Sequence, residues 1–289
     1  MLRASMLTVA VLLLSGGCAR QAPPPVYRGP TLTLTQVVEQ INRNNQAIPT
    51  LYAQVSLEAD IVDKGRSRFI NTGGDIFVRK PRELLLRGKK PAMGKVFEMG
   101  STQDRYWLTT YVDDATRWWG HYRNIGKPCA GQMPIRPDLV GEVLGIGDIS
   151  PDFLQPPLLT MTFNNDVDVY MLNWHSRAAD RWITEKSIWY DRETLLPRKV
   201  LLYDANGRPI LRANLSNHKA VQTDAEPPAR RPVIATDYQL FFPDSGSRMT
   251  LRLSDMRLQN QGGHPRQGTI VFREEPDATE IQIDKDCDE

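Results

Sequence analysis

The sequence has little of what catalytic and metal centres are built from. It holds three cysteines and four histidines in 289 residues. The histidines, His121, His175, His218 and His264, are scattered, and none has a metal-ligand neighbour at the i+4 spacing of a zinc helix. There is no G-x-S-x-G elbow, no P-loop and no G-x-G-x-x-G. Gly141, Gly145 and Gly147 read as helix-ending glycines rather than a phosphate loop. Asp166 and Asp168 could pair as carboxylates, but strand alternation puts both on a solvent face. Long apolar runs are also missing. The one noticeable run, Leu7–Leu14, is too short to span a bilayer as a helix. The absences exclude a polytopic helical membrane protein. They point away from an enzyme and from any metal or cofactor.

What is present has an uneven charge. Residues 274–289 hold eight acids and one base, while the rest of the chain holds 35 bases and 26 acids. Such asymmetry bears on partners and solubility, not on fold. Asp284, Asp286, Asp288 and Glu289 lack the register of a calcium loop, so residues 274–289 are expected to form a solvated acidic tail. With 40% hydrophobic and 24% charged residues, the chain between its ends is that of a folded domain. A basic body does not imply nucleic acid here, and the chain is read as a monomer.

The N-terminus reads as an address. Arg3 is a positive n-region, Met6–Leu14 an apolar h-region, and Ser15-Gly16-Gly17 the small residues before a cleavage site. Cys18 follows directly. The run resembles the lipobox of bacterial lipoproteins, which implies a signal peptide over 1–17 and lipidation of Cys18. Residues 18–30 then form a Pro-rich tether that no helix or central strand can include. Twelve such residues reach roughly 35 Å when extended. Ala19 stands where an aspartate retains proteobacterial lipoproteins in the inner membrane, so the resemblance implies the periplasmic face of the outer membrane. In that oxidising compartment Cys129 and Cys287 are either bridged or two free thiols.

Residues 31–273 read as one domain. A helix is expected over Leu34–Ala47, with Thr33 and Gln36 at capping-box spacing and Pro49 as its stop. The period then falls to two: Ala53, Val55, Leu57, Ala59 and Ile61 alternate with polar residues. Strands are expected at Arg68–Val78, Glu83–Arg87, Val96–Met99, Arg105–Val112 and Thr116–Tyr122, joined by hairpin-length turns. A short helix fits Pro137–Leu144, and Pro151, Pro156 and Pro157 mark a loop. A second meander follows: Val167–Trp174, Trp182–Tyr190, Pro197–Tyr203, Ile210–Ser216, Ile234–Phe242 and Arg248–Leu258, with Thr223–Pro232 as an insertion loop. The phase slip from Leu253 to Met256 predicts a bulge near Asp255. The fold class is α+β: about a dozen antiparallel strands, a leading helix and a short mid-chain helix.

This order of elements resembles the LolA/LolB family of lipoprotein carriers. The local likeness lies in Arg82–Met99 (RELLLRGKKPAMGKVFEM) and in Trp189–Pro197 (WYDRETLLP), a hairpin shared with periplasmic regulators such as RseB. The resemblance implies a strongly curved, open half-barrel whose helices cover the concave apolar face. It implies noncovalent binding of acyl chains or lipoprotein cargo there. Val55, Leu57, Leu84, Leu86, Phe97, Trp107, Trp118, Trp174 and Trp189 would line the cavity. It also implies a membrane-facing loop with Met93 at its tip between Lys89, Lys90 and Lys95. An apolar tip flanked by lysines suits an anionic membrane surface, although a solvated turn has the same composition. The alternative function is a sensor or scaffold of the same fold that binds a periplasmic protein.

Overall fold

The computed structural model describes residues 27–287 except 64, 65, 93, 113, 126, 128, 131, 132, 134, 165, 179, 224–230 and 259–269. The signal segment, Cys18, Met93, His264 and most of the tether and of the Thr223–Pro232 insertion lie outside the described residues. No helix among the described residues is long and apolar enough to cross a membrane.

Helix α1 spans Leu34–Gln46 and begins with the expected box. The Gln36 amide donates to Thr33 Oγ1 at 3.3 Å, and the Thr33 amide donates to Gln36 Oε1 at 2.9 Å. Its apolar stripe, Val37, Val38 and Ile41, is buried. Six strands follow as an antiparallel meander: β1 Thr50–Asp63, β2 Arg66–Arg79, β3 Glu83–Lys90, β4 Gly94–Ser101, β5 Arg105–Thr110 and β6 Thr116–His121. Helix α2 occupies Pro137–Val143, with proline in its first turn. The second meander is β7 Leu158–Asn164, β8 Val169–Ala178, β9 Arg181–Asp191, β10 Pro197–Tyr203 and β11 Pro209–Ser216. A short ribbon, β12 Lys219–Ala220 with β13 Val233–Ile234, precedes β14 Asp237–Phe241 and β15 Arg248–Arg257.

β15 pairs with β1 and joins the two meanders into one 14-stranded sheet. Its ends, β7 and a final strand β16 (Thr279–Gln282), do not meet, so the sheet is an open half-barrel. The expected bulge is present. Tyr52 faces Arg257 while Gln54 faces Ser254, leaving an extra residue on β15, and Asp255 has φ 54°. Curvature is helped by close backbone approach at two glycines. A Cβ on Gly74 would lie 1.8 Å from the Arg87 carbonyl oxygen, and one on Gly88 would lie 2.3 Å from the Phe97 ring.

Two expectations are corrected. The loop marked by the three prolines ends in β7, an edge strand with Leu159 inward and Thr160 and Thr162 outward. The acidic segment is not a solvated tail. Residues 270–287 lie against the first half of the sheet, and β16 pairs in parallel with β6. Ile270 and Phe272 cover an outer-face cluster of Phe77, Leu85 and Trp107. Arg117, only 1% exposed, lies among these rings, 4.6 Å from the Phe272 centroid, and donates to the Arg273 carbonyl. Asp284 is fully buried and accepts from the His121 amide at 2.8 Å and Asn124 Nδ2 at 2.8 Å, with the His121 ring Nδ1 at 3.0 Å. A disulfide between Cys129 and Cys287 closes the segment down. Apolar contacts on the outer face and pairing at the edge of β6 outweigh the repulsion among the acids, and the disulfide holds the end in place.

Candidate functional site

One face of the sheet is covered by α1, α2 and the loop after α2. Val55 and Leu57 of β1, Leu84 and Leu86 of β3, Phe97 of β4 and Trp174 of β8 all point to this face. They form one apolar cluster with Val37, Ile41, Val140 and Val143 of the helices, and Trp118 packs half-buried against it. Leu57, Leu84 and Leu86 are each 2% exposed or less, so the face is filled by its own cover.

Trp107 and Trp189 are not on this face. Side chains alternate along a strand. Tyr106 and Leu108 point to the helices, so Trp107 points outward, where it meets Phe77, Leu85 and Ile270 and donates to Glu98 Oε1 at 3.2 Å. Ile188 and Tyr190 likewise point inward and leave Trp189 on the outer face, with Lys199 Nζ 4.1 Å from its ring centroid.

The cover is held by side-chain hydrogen bonds rather than by a sheet ladder. Asn42 of α1 grips Ile149 on both sides: Nδ2 donates to its carbonyl at 2.7 Å, and its amide donates back to Oδ1 at 2.8 Å. Asn45 donates to the Gly147 carbonyl at 2.8 Å. Asn44 makes the same two-way contact with Val233 at 2.9 and 2.7 Å. Lys80 donates to the Asn45 carbonyl and reaches Asp148 at 2.7 Å. The sequence signal for this latch is the Asn42, Asn44, Asn45 cluster on an otherwise ordinary amphipathic helix, which sequence reasoning passed over.

The β3–β4 hairpin lies on one rim of the sheet, and the tether enters the fold on the other. β1 and β3 both run toward the hairpin rim, while the β7–β8 and β9–β10 turns lie at the rim where β1 starts. Tyr27–Leu32 is bound at that second rim. Arg192 Nη2 donates to Thr31 Oγ1 at 2.9 Å, its guanidinium lies 5.2 Å from the Tyr27 ring centroid, and the Leu32 amide donates to the Tyr170 hydroxyl at 2.9 Å. Asp168 accepts from the Tyr27 amide and pairs with Arg192 at 3.4 Å. Asp166 and Asp168 thus sit in the turn before β8 rather than along a strand, and Asp168 has φ 51°. At the hairpin, Lys89 pairs with Asp75 at 3.4 Å and Lys95 lies 5.2 Å from the Tyr111 ring centroid. Lys90 is half-buried. Met93 lies outside the described residues.

Sheet, lid and rims define an open α+β half-barrel whose one apolar face lies under latched helices. No protein-family model matches the chain, and no curated protein matches it. Among solved structures it is similar to a LolA superfamily protein from Nitrosomonas europaea: 15% identity, 80% of this chain and 96% of that one covered, TM-score 0.48. It is also similar to an outer membrane lipoprotein-sorting protein domain from Vibrio parahaemolyticus: 15% identity, 80% and 94% covered, TM-score 0.48. A DUF1329 family protein from Desulfovibrio piger gives 14% identity, 79% and 94% covered, TM-score 0.48. Likeness at this level concerns sheet architecture and assigns no residue a role.

Proposed function

We propose that this chain is a cell-envelope lipoprotein, tethered through Cys18 at the periplasmic face of the outer membrane, that binds acyl chains noncovalently between its sheet and α1. No bond is made or broken. The observation that carries the reading is the continuous apolar face whose cover packs against it and is joined by side-chain hydrogen bonds rather than by a sheet ladder. Burial of methylenes supplies about 0.8 kcal/mol each, so a dozen supply about 10 kcal/mol. Breaking half a dozen latch hydrogen bonds at a net of about 1 kcal/mol each costs less than that. An acyl chain that enters between the sheet and α1, and so keeps Val37, Val38 and Ile41 covered in place of the sheet, has the energy to lift the helix. The test is a titration of Cys18→Ser protein with a fluorescent fatty acid. Saturable, one-site binding at micromolar affinity or better is expected. No saturable binding at any chain length would overturn the reading.

The filled state of Leu57, Leu84 and Leu86 favours a second reading, a scaffold that keeps its core closed and binds a periplasmic protein. A scaffold captures a defined protein and shows no acyl binding in the same titration.

A further inference from the structure

The outer face of β8–β10 carries a groove of about 440 Å³, within the range of small-ligand sites. It lies on the face away from α1, so it is independent of the acyl-binding reading. Met171, Trp182, Ser187, Trp189, Leu201 and Tyr203 line it. Three features separate it from ordinary sheet surface. Trp182 is 52% exposed, an unusual placement for the largest apolar side chain. Ser187 is only 2% exposed, and its Oγ has no hydrogen-bond partner among the described residues. The buried Trp189 Nε1 is likewise unpartnered. Buried polar atoms are nearly always satisfied, and two orphans in one groove ask for a ligand that supplies the missing bonds.

We propose that this groove is a saccharide-binding site that takes pyranose rings. A pyranose has an apolar C–H face and a rim of hydroxyls that both donate and accept. The first matches the indole face of Trp182 and the phenol face of Tyr203. The second matches Ser187 Oγ, Trp189 Nε1 and the neighbouring Asn173 and Thr184. An acyl chain fits worse, because it would bury these polar atoms and satisfy none of them. A peptide adding as a strand is excluded at this surface, since β8, β9 and β10 are each paired on the sides that meet in the groove.

The test is calorimetric titration of full-length Cys18→Ser protein with cellotetraose and with chitotetraose, followed in parallel by tryptophan fluorescence. Saturable one-site binding of at least one sugar is expected, with a change in tryptophan emission. Trp182→Ala should weaken it about tenfold or more while leaving the circular-dichroism spectrum unchanged. Ser187→Ala should also weaken it, while the unfolding midpoint does not fall, because Oγ has no protein bond to lose. A purely structural Ser187 would give the opposite pair of results. Absence of saturable binding of both sugars at millimolar concentration would overturn the proposal. So would binding that Trp182→Ala leaves intact, or displacement of bound sugar by a fatty acid.

Discussion

Asp284 shows how a single side chain can turn an acidic segment into structure. Burial alone would raise its pKa, but hydrogen bonds from Asn124, the His121 amide, Gln282 and the His121 ring outweigh it and hold the pKa at about 2, below the ordinary 3.8. A depressed carboxylate contributes stability that is fully present above its unfolded pKa and is lost as pH falls through the folded one. The window here runs from about pH 4 down to about pH 2. Asp284→Asn is expected to cost about 1–2 kcal/mol at pH 7 and to differ little from wild type near pH 2. Urea unfolding at the two pH values checks it, and an equal cost at both would contradict it. Gly74→Ala would place a Cβ 1.8 Å from the Arg87 carbonyl oxygen, where backbone must move. A loss of about 1–3 kcal/mol or more in chemical denaturation is expected; an unchanged midpoint would show that the strands can part freely.

The elements that carry their own signals were legible, and those defined by distant partners were not. Thr33 and Gln36 announce α1 because a capping box spans only four residues. The bulge at Asp255 shows as a phase slip within one strand. Trp107 and Trp189 were placed on the wrong face because Tyr106-Trp107-Leu108 and Ile188-Trp189-Tyr190 are triplets of apolar residues, in which alternation gives no phase. β16 was hidden because it is only four residues long, lies within an acidic segment, and has its partner strand over 150 residues away. Asp284 could not be read as buried when His121 and Asn124 are equally distant in sequence. The disulfide fixes this segment across a separation of 158 residues. Closing so long a loop is worth about 5 kcal/mol in the chain-entropy account. The double variant Cys129→Ser, Cys287→Ser should therefore lose several kcal/mol and become protease-sensitive within residues 270–287. Full resistance with an unchanged melting midpoint would contradict it. Asn42→Ala removes both bonds to Ile149 and should destabilise the closed lid by about 1–2 kcal/mol. If acyl binding requires the lid to lift, the same variant should bind a fatty acid several-fold more tightly. Tighter binding separates a lid from a mere structural helix.

Across the whole molecule, the two rims differ in what they hold. Tyr27–Leu32 is gripped at the rim of the β7–β8 and β9–β10 turns, and the basic β3–β4 hairpin lies at the other. β3 is eight residues long, about 26 Å of strand. The hairpin is therefore held away from the rim that binds Tyr27–Leu32. The helix-covered face lies between the rims, and the proposed acyl binding draws its energy from that face. Hydrogen–deuterium exchange of the Cys18→Ser protein, with and without a saturating long-chain fatty acid, tests this most directly. Faster exchange of the amides of Leu34–Gln46 and of residues 145–149 is expected on binding, with the strands of the sheet unchanged or slowed. Saturation with no change at α1, or slower exchange there, would contradict the claim that the ligand binds by lifting the helix from the sheet.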